Sequence, residues 1–176
     1  MPIIAKRESN FVPAPAGTYR GVCVDVVDLG MIEETWDGIP KRTHKIRIVW
    51  QIDELMEDGR PYVASNRYTL SFDPKANLRK MIEGWTGENY TDHEAQGFDV
   101  EGMVGVSGII TITHRAGSKG GTFANVTGVA PLMKGMPRLA PTDHYTRVID
   151  REQKAQSANP EYDEANPPPS NDDIPF

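Results

Sequence analysis

The sequence predicts an all-β fold, a small five-stranded barrel with one short helix. Three observations carry that expectation. Five segments place apolar residues at a period of two, which is strand spacing. One segment between the third and fourth strands changes to helical spacing. Clusters of Gly, Asp, Asn and Pro separate these segments, as turns require.

Residues 1–16 read as an N-terminal arm, because "VPAPAG" is stiffened by proline and has no periodicity. The first strand runs from Thr18 to Leu29, with Val22, Val24 and Val26 on one face. A polar loop is expected from Glu33 to Arg42, holding Trp36, Asp37 and Gly38. In the second strand, His44 to Asp53, Ile46, Ile48, Trp50 and Ile52 share a face, while Lys45, Arg47, Val49 and Gln51 share the other. That is a strand with a buried side and a basic side. Asp58-Gly59 signals a turn into the third strand, Tyr62 to Phe72, with Tyr68, Leu70 and Phe72 inward and Arg67 outward.

The period then changes. In "DPKANLRKMIEGW", Asp73 is placed to cap a helix and Pro74 to open it, and Leu78, Met81, Ile82 and Trp85 form one apolar stripe. Gly84 and Gly87 are expected to stop it. After an irregular acidic stretch, a fourth strand runs from Val104 to Arg115 and a fifth from Thr122 to Val129, joined by the glycine-rich "AGSKGG". Three strands, one helix and two strands is the chain order of the OB-fold, a Greek-key barrel. The domain is expected over residues 17–135, with a disordered Pro/Asn/acidic linker over 136–170 and a distinct tip at 171–176.

Charge sharpens this division. The chain of 176 residues carries a net charge of -6, yet residues 1–137 hold 15 Lys/Arg against 17 Asp/Glu and residues 138–176 hold 4 against 8. The body is near neutral, so a local basic face is compatible with it. One cysteine, Cys23, excludes an internal disulfide framework. Neither a signal-peptide stretch nor a run of about 18 apolar residues is found, so a cytoplasmic location is expected.

Catalytic signals are weak, and no enzyme, metal site or cofactor is predicted. Cys23 lies among valines with no histidine near it in sequence, and the four histidines lack ligand spacing. The carboxylates of "DELMEDG", from Asp53 to Gly59, read as a solvated turn, with a metal-dependent nuclease subunit as the rival reading. Single-stranded nucleic acid is better served, since it needs cations along the backbone and aromatic faces for bases. The candidate cations are Lys41, Arg42, Lys45, Arg47, Arg67, Arg115 and Lys119, and the candidate stacking residues are Trp36, Tyr62 and Phe123. They fall on strands two and three and on the loops with which OB-folds bind oligonucleotides. Trp50 and Trp85 lie on apolar faces and are expected in the core.

The final "DDIPF" resembles the acidic C-terminal end of bacterial single-stranded-DNA-binding proteins. The body resembles phage-encoded OB-fold members of that functional group over roughly residues 13–135, through "PAGTYRGVCVDVVDLG", "RYTLSFDPKANLRKMIEGWTG" and "VTGVAPLMKG". The resemblance implies a non-catalytic protein of an infected bacterial cytoplasm that coats single-stranded DNA during replication, recombination and repair. It also implies that Asp172, Asp173, Ile174, Pro175 and Phe176 dock onto partner proteins. Phe176 suits an apolar pocket, and the carboxylates suit a basic rim. A protein that occupies partners through this tip without binding DNA is the rival from another class.

Overall fold

The structure, a computed structural model, describes residues 12–118 and 120–158. Its strands are β1 (Gly17–Trp36), β2 (Ile39–Leu55), β3 (Pro61–Thr69), β4 (Ser107–Ala116) and β5 (Thr122–Ala130), and its helices are α1 (Asn77–Thr86), α2 (Asp92–Ala95) and α3 (Val148–Ala158). The strands close into a barrel in the order β1-β2-β3-β5-β4, with β4 returning to β1. Only the β3–β5 pair is parallel. This is the expected OB-fold order, with α1 between β3 and β4.

In β2 and α1 the inward residues are those the period selected, whereas in β1 the bulge between Cys23 and Asp25 splits the expected face, with Cys23 in the barrel core and Val22 and Val24 in a separate cluster. Ile46, Ile48, Trp50 and Ile52 of β2 meet Ile110 and Ile112 of β4 and Val126 of β5 in one buried cluster. Helix α1 adds Leu78, Ile82 and Trp85 to it, each burial stabilising by roughly 1.5–3 kcal/mol. The Trp85 indole N–H donates to the carbonyl of Ser107 at 3.0 Å. Gly108 makes room for this, because a Cβ there would lie 2.6 Å from Trp85 Nε1 and 2.9 Å from the carbonyl oxygen of Ala130.

Four boundaries differ from expectation. The end of the predicted N-terminal arm joins the barrel: Ala14 is buried, and its carbonyl accepts from His114 Nε2 at 2.8 Å. The predicted polar loop Glu33–Arg42 is paired strand, so β1 and β2 continue as a two-stranded arm up to the turn at Asp37-Gly38. Asp37 and Gly38 have φ of 52° and 77°, the left-handed pair of a two-residue hairpin turn. Across the arm Glu33 faces Arg42 and Glu34 faces Lys41, opposite charges in register that support the ladder.

Strand β3 stops at Thr69 and leaves Leu70 exposed. Helix α1 begins only at Asn77, after Ala76, with no side-chain cap. The reason is tertiary. Arg79, 7% exposed, pairs with Glu83 at 3.0 Å and donates to the carbonyls of Phe72 and Tyr90, which holds the approach to the helix in an irregular path. Gly84 lies within α1, and left-handed Gly87 caps it.

The fourth difference is the predicted linker. The chain divides into a barrel unit that runs to Tyr145 and a second unit from Thr146, in which α3 is described. Residues 137–145 form a strap over the outer side of the barrel, where Leu139 and Tyr145 pack on Val22, Val24 and Val49. Gln51 and Thr142 exchange two hydrogen bonds of 2.9 Å, and Tyr145 Oη donates to Asp25 Oδ2 at 2.9 Å. Expected acidic linker is, in this part, a piece of the domain.

Candidate nucleic-acid interface

Residues opposite each other in a ladder point to the same side, so register decides which cations share a face. Along the arm, one side carries Ile32, Glu34 and Trp36 from β1 with Ile39, Lys41 and Thr43 from β2. That side continues into Lys45 and Arg47, and across β3 into Thr69 and Arg67. Arg42 pairs with Glu33 and takes the other side of the arm. The structure does not bring it into the groove with the other cations, because the segment that carries it alternates as a strand instead of looping.

A β-bulge between Asp28 and Gly30 sets the base of the arm. Asp28 Oδ1 accepts from the Gly30 N–H at 2.8 Å and meets His44 Nε2 at 2.6 Å. These bonds, the backbone one foremost, hold the Asp28 carboxyl below its ordinary range. Bulges bend and twist a strand, so the arm's side of Glu34 and Trp36 is aimed over β3.

Between arm and the segment after β3 lies an open groove of about 1060 Å³. Trp36, Lys41, Lys45 and Arg67 line it, together with Glu34, Thr69, Tyr68, Asp73 and Lys75. Trp36 is 78% exposed at the tip, beside the exposed Ile39. Lys45 is ordered by two contacts, to Glu34 Oε2 at 3.0 Å and to Thr69 Oγ1 at 2.9 Å. Tyr68 closes the floor, and its burial pushes the phenol up to about 12, so it stays neutral there. Arg47 stands directly opposite Arg67 in the register. Among the described residues neither has a carboxylate within 4.0 Å, although like charges in facing positions oppose pairing.

The other predicted residues distribute differently. Arg115 and Phe123 face each other on the β4–β5 hairpin, both exposed. The Phe123 ring rests on Gly117, where a Cβ would meet it at 2.4 Å, so glycine gives the ring its seat. Tyr62 is half-buried and packs against the barrel core, outside the groove. The structure does not bring it together with Trp36 at the groove. Lys119 and the tip residues Asp172, Asp173, Ile174, Pro175 and Phe176 lie outside the described residues. In the Asp53–Asp58 turn, Asp53 pairs with Arg20 at 3.3 Å and Asp58 with Arg60 at 2.7 Å.

No protein-family model and no curated protein matches the chain. The site therefore rests on its own geometry. Sequence reasoning missed Glu34, Thr69 and Lys75. The signal for Glu34 was present, since reading "WDGI" as a two-residue hairpin puts it opposite Lys41.

Among the described residues, no helix is long and apolar enough to cross a membrane.

Proposed function

We propose that this barrel binds single-stranded DNA without sequence preference, along the outer side of β2 and β3 and into the groove beneath the arm. The observation that carries the reading is the facing pair Arg47 and Arg67, which have no acidic partner among the described residues. Two guanidiniums held side by side oppose each other until an anion lies across them, and a phosphate oxygen pair suits their planar donors. Trp36 supplies what a base needs, an exposed aromatic face at the lip of the same groove. Side chains that read base edges in a fixed pattern are not required, so sequence tolerance follows. The acidic and apolar run from Asp172 to Phe176 is proposed, on its sequence, to dock partner proteins of replication, recombination and repair.

Titration of fluorescent oligo-dT at several salt concentrations tests this. Log affinity should fall linearly with log salt, by about 0.7 per phosphate contacted. Trp36 emission should be quenched on binding, and Trp36→Ala should weaken binding by about 1–3 kcal/mol with the melting temperature nearly unchanged. A wild-type protein that does not bind oligo-dT at low salt would end the reading.

A further inference from the structure

Glu34 is an acid inside a groove read as a phosphate site. Its carboxylate holds the Lys45 ammonium at 3.0 Å, and Lys41 faces it across the arm. A solubilising acid would have no need of this position. Lys45 is also the most sheltered of the cations lining the groove, its side chain 17% exposed and fixed from the other side by Thr69.

We infer that Glu34 is a built-in competitor that occupies Lys45 in the free protein and is displaced by the strand. This rests on the proposed function and adds the regulation of the site. Glu34 is tethered, so its carboxylate faces Lys45 at a high effective concentration. A lone phosphate or mononucleotide meets that competition without help. A strand of several nucleotides is already held by Arg47 and Arg67, and its next phosphate competes intramolecularly in turn. The groove thus favours polymer over monomer. Displacement moves Glu34 without breaking the fold, because its side chain is half-exposed at 55% and sits on an arm held by backbone pairing.

The test compares wild type, Glu34→Gln, Lys45→Gln and the double variant, each titrated with fluorescein-labelled oligo-dT and with labelled thymidine monophosphate. Glu34→Gln should tighten oligo-dT by about two- to fivefold at low salt, with the gain shrinking as salt screens the pair. The gain should be clearly smaller in the Lys45→Gln background, where the ammonium that Glu34 holds is gone and only Lys41 faces it. Monophosphate binding should improve by at least as large a factor. Circular dichroism melts identify any variant that fails to fold; if Glu34→Gln does, Glu34→Ala replaces it with the same expectation, and Glu34→Asp, which keeps the charge, should gain less. If wild type binds oligo-dT but Glu34→Gln is unchanged, or its gain is the same with and without Lys45, the competitor role is wrong and the proposed function stands. If wild type binds no oligo-dT, the proposed function itself has failed.

Discussion

The outer side of β1–β3 has two halves that meet different fates. At one end Val22, Val24, Val49 and Gln51 are covered by the strap, with Leu139 and Tyr145 on the valines and Thr142 on the glutamine. At the other end, on the same strands, Lys45, Arg47 and Arg67 are not covered by the strap, and Lys45 and Arg67 line the groove. The pleat is common to both, so backbone geometry does not separate them. Side-chain chemistry does. Apolar surface and a buried amide gain from contact with the chain's own residues, whereas guanidiniums lose hydration unless an anion repays it.

The strongest way to break the contrast is to uncover the covered half. Ending the chain after Met136 removes Leu139, Thr142 and Tyr145 and exposes the valine patch. We expect a loss of about 3 kcal/mol or more in urea unfolding, from lost apolar burial and from hydrogen bonds left unmade. Unfolding at the wild-type midpoint would show that the strap is only laid over the barrel. A deletion meant to remove only the acidic segment must begin after Tyr145.

The open half is probed by Arg47→Gln with Arg67→Gln. Oligo-dT affinity should fall by about 2 kcal/mol or more and the salt slope should flatten by roughly 1.4, two contacts at 0.7 each. Stability should hold or rise slightly, because facing like charges are removed. A large stability loss with unchanged DNA affinity would assign the pair to the fold. The smallest expected effect is Tyr145→Phe, which keeps the packing on the valine patch and deletes one bond to Asp25. It should cost about 1–2 kcal/mol, with DNA affinity unaltered. Altered affinity would mean that the two halves communicate.

Sequence legibility followed the same contrast between patterned and unpatterned segments. Strands with one apolar face, such as Ile46 to Ile52, announce themselves by period, and the barrel order followed from their number and from the helix. The arm carries polar residues on both sides, so alternation gives no signal there and only the Asp37-Gly38 turn marks it. Misreading it as a loop also misplaced Arg42. The strap was hidden because it has no regular structure and is held by contacts to residues far away in sequence, such as Gln51 to Thr142 and Asp25 to Tyr145. Asp73 and Pro74 looked like a helix start, and the buried Arg79 overruled them through bonds to carbonyls that local sequence does not predict.

The strap also matters in time. Its partners lie 91 residues away for Gln51–Thr142 and 120 for Asp25–Tyr145, among the longest separations in the barrel unit. The arm hairpin, closed by two residues, can form within about 1–10 μs once its strands exist. Contacts of long separation form late because chain closure must precede them. During synthesis, β1 and β2 therefore emerge with the valine patch bare, and it stays bare until Tyr145 has left the ribosome. At about 5–20 residues per second, the interval from the end of β2 to that point is roughly 5–20 seconds. In that window the nascent chain presents an apolar patch that the finished protein conceals.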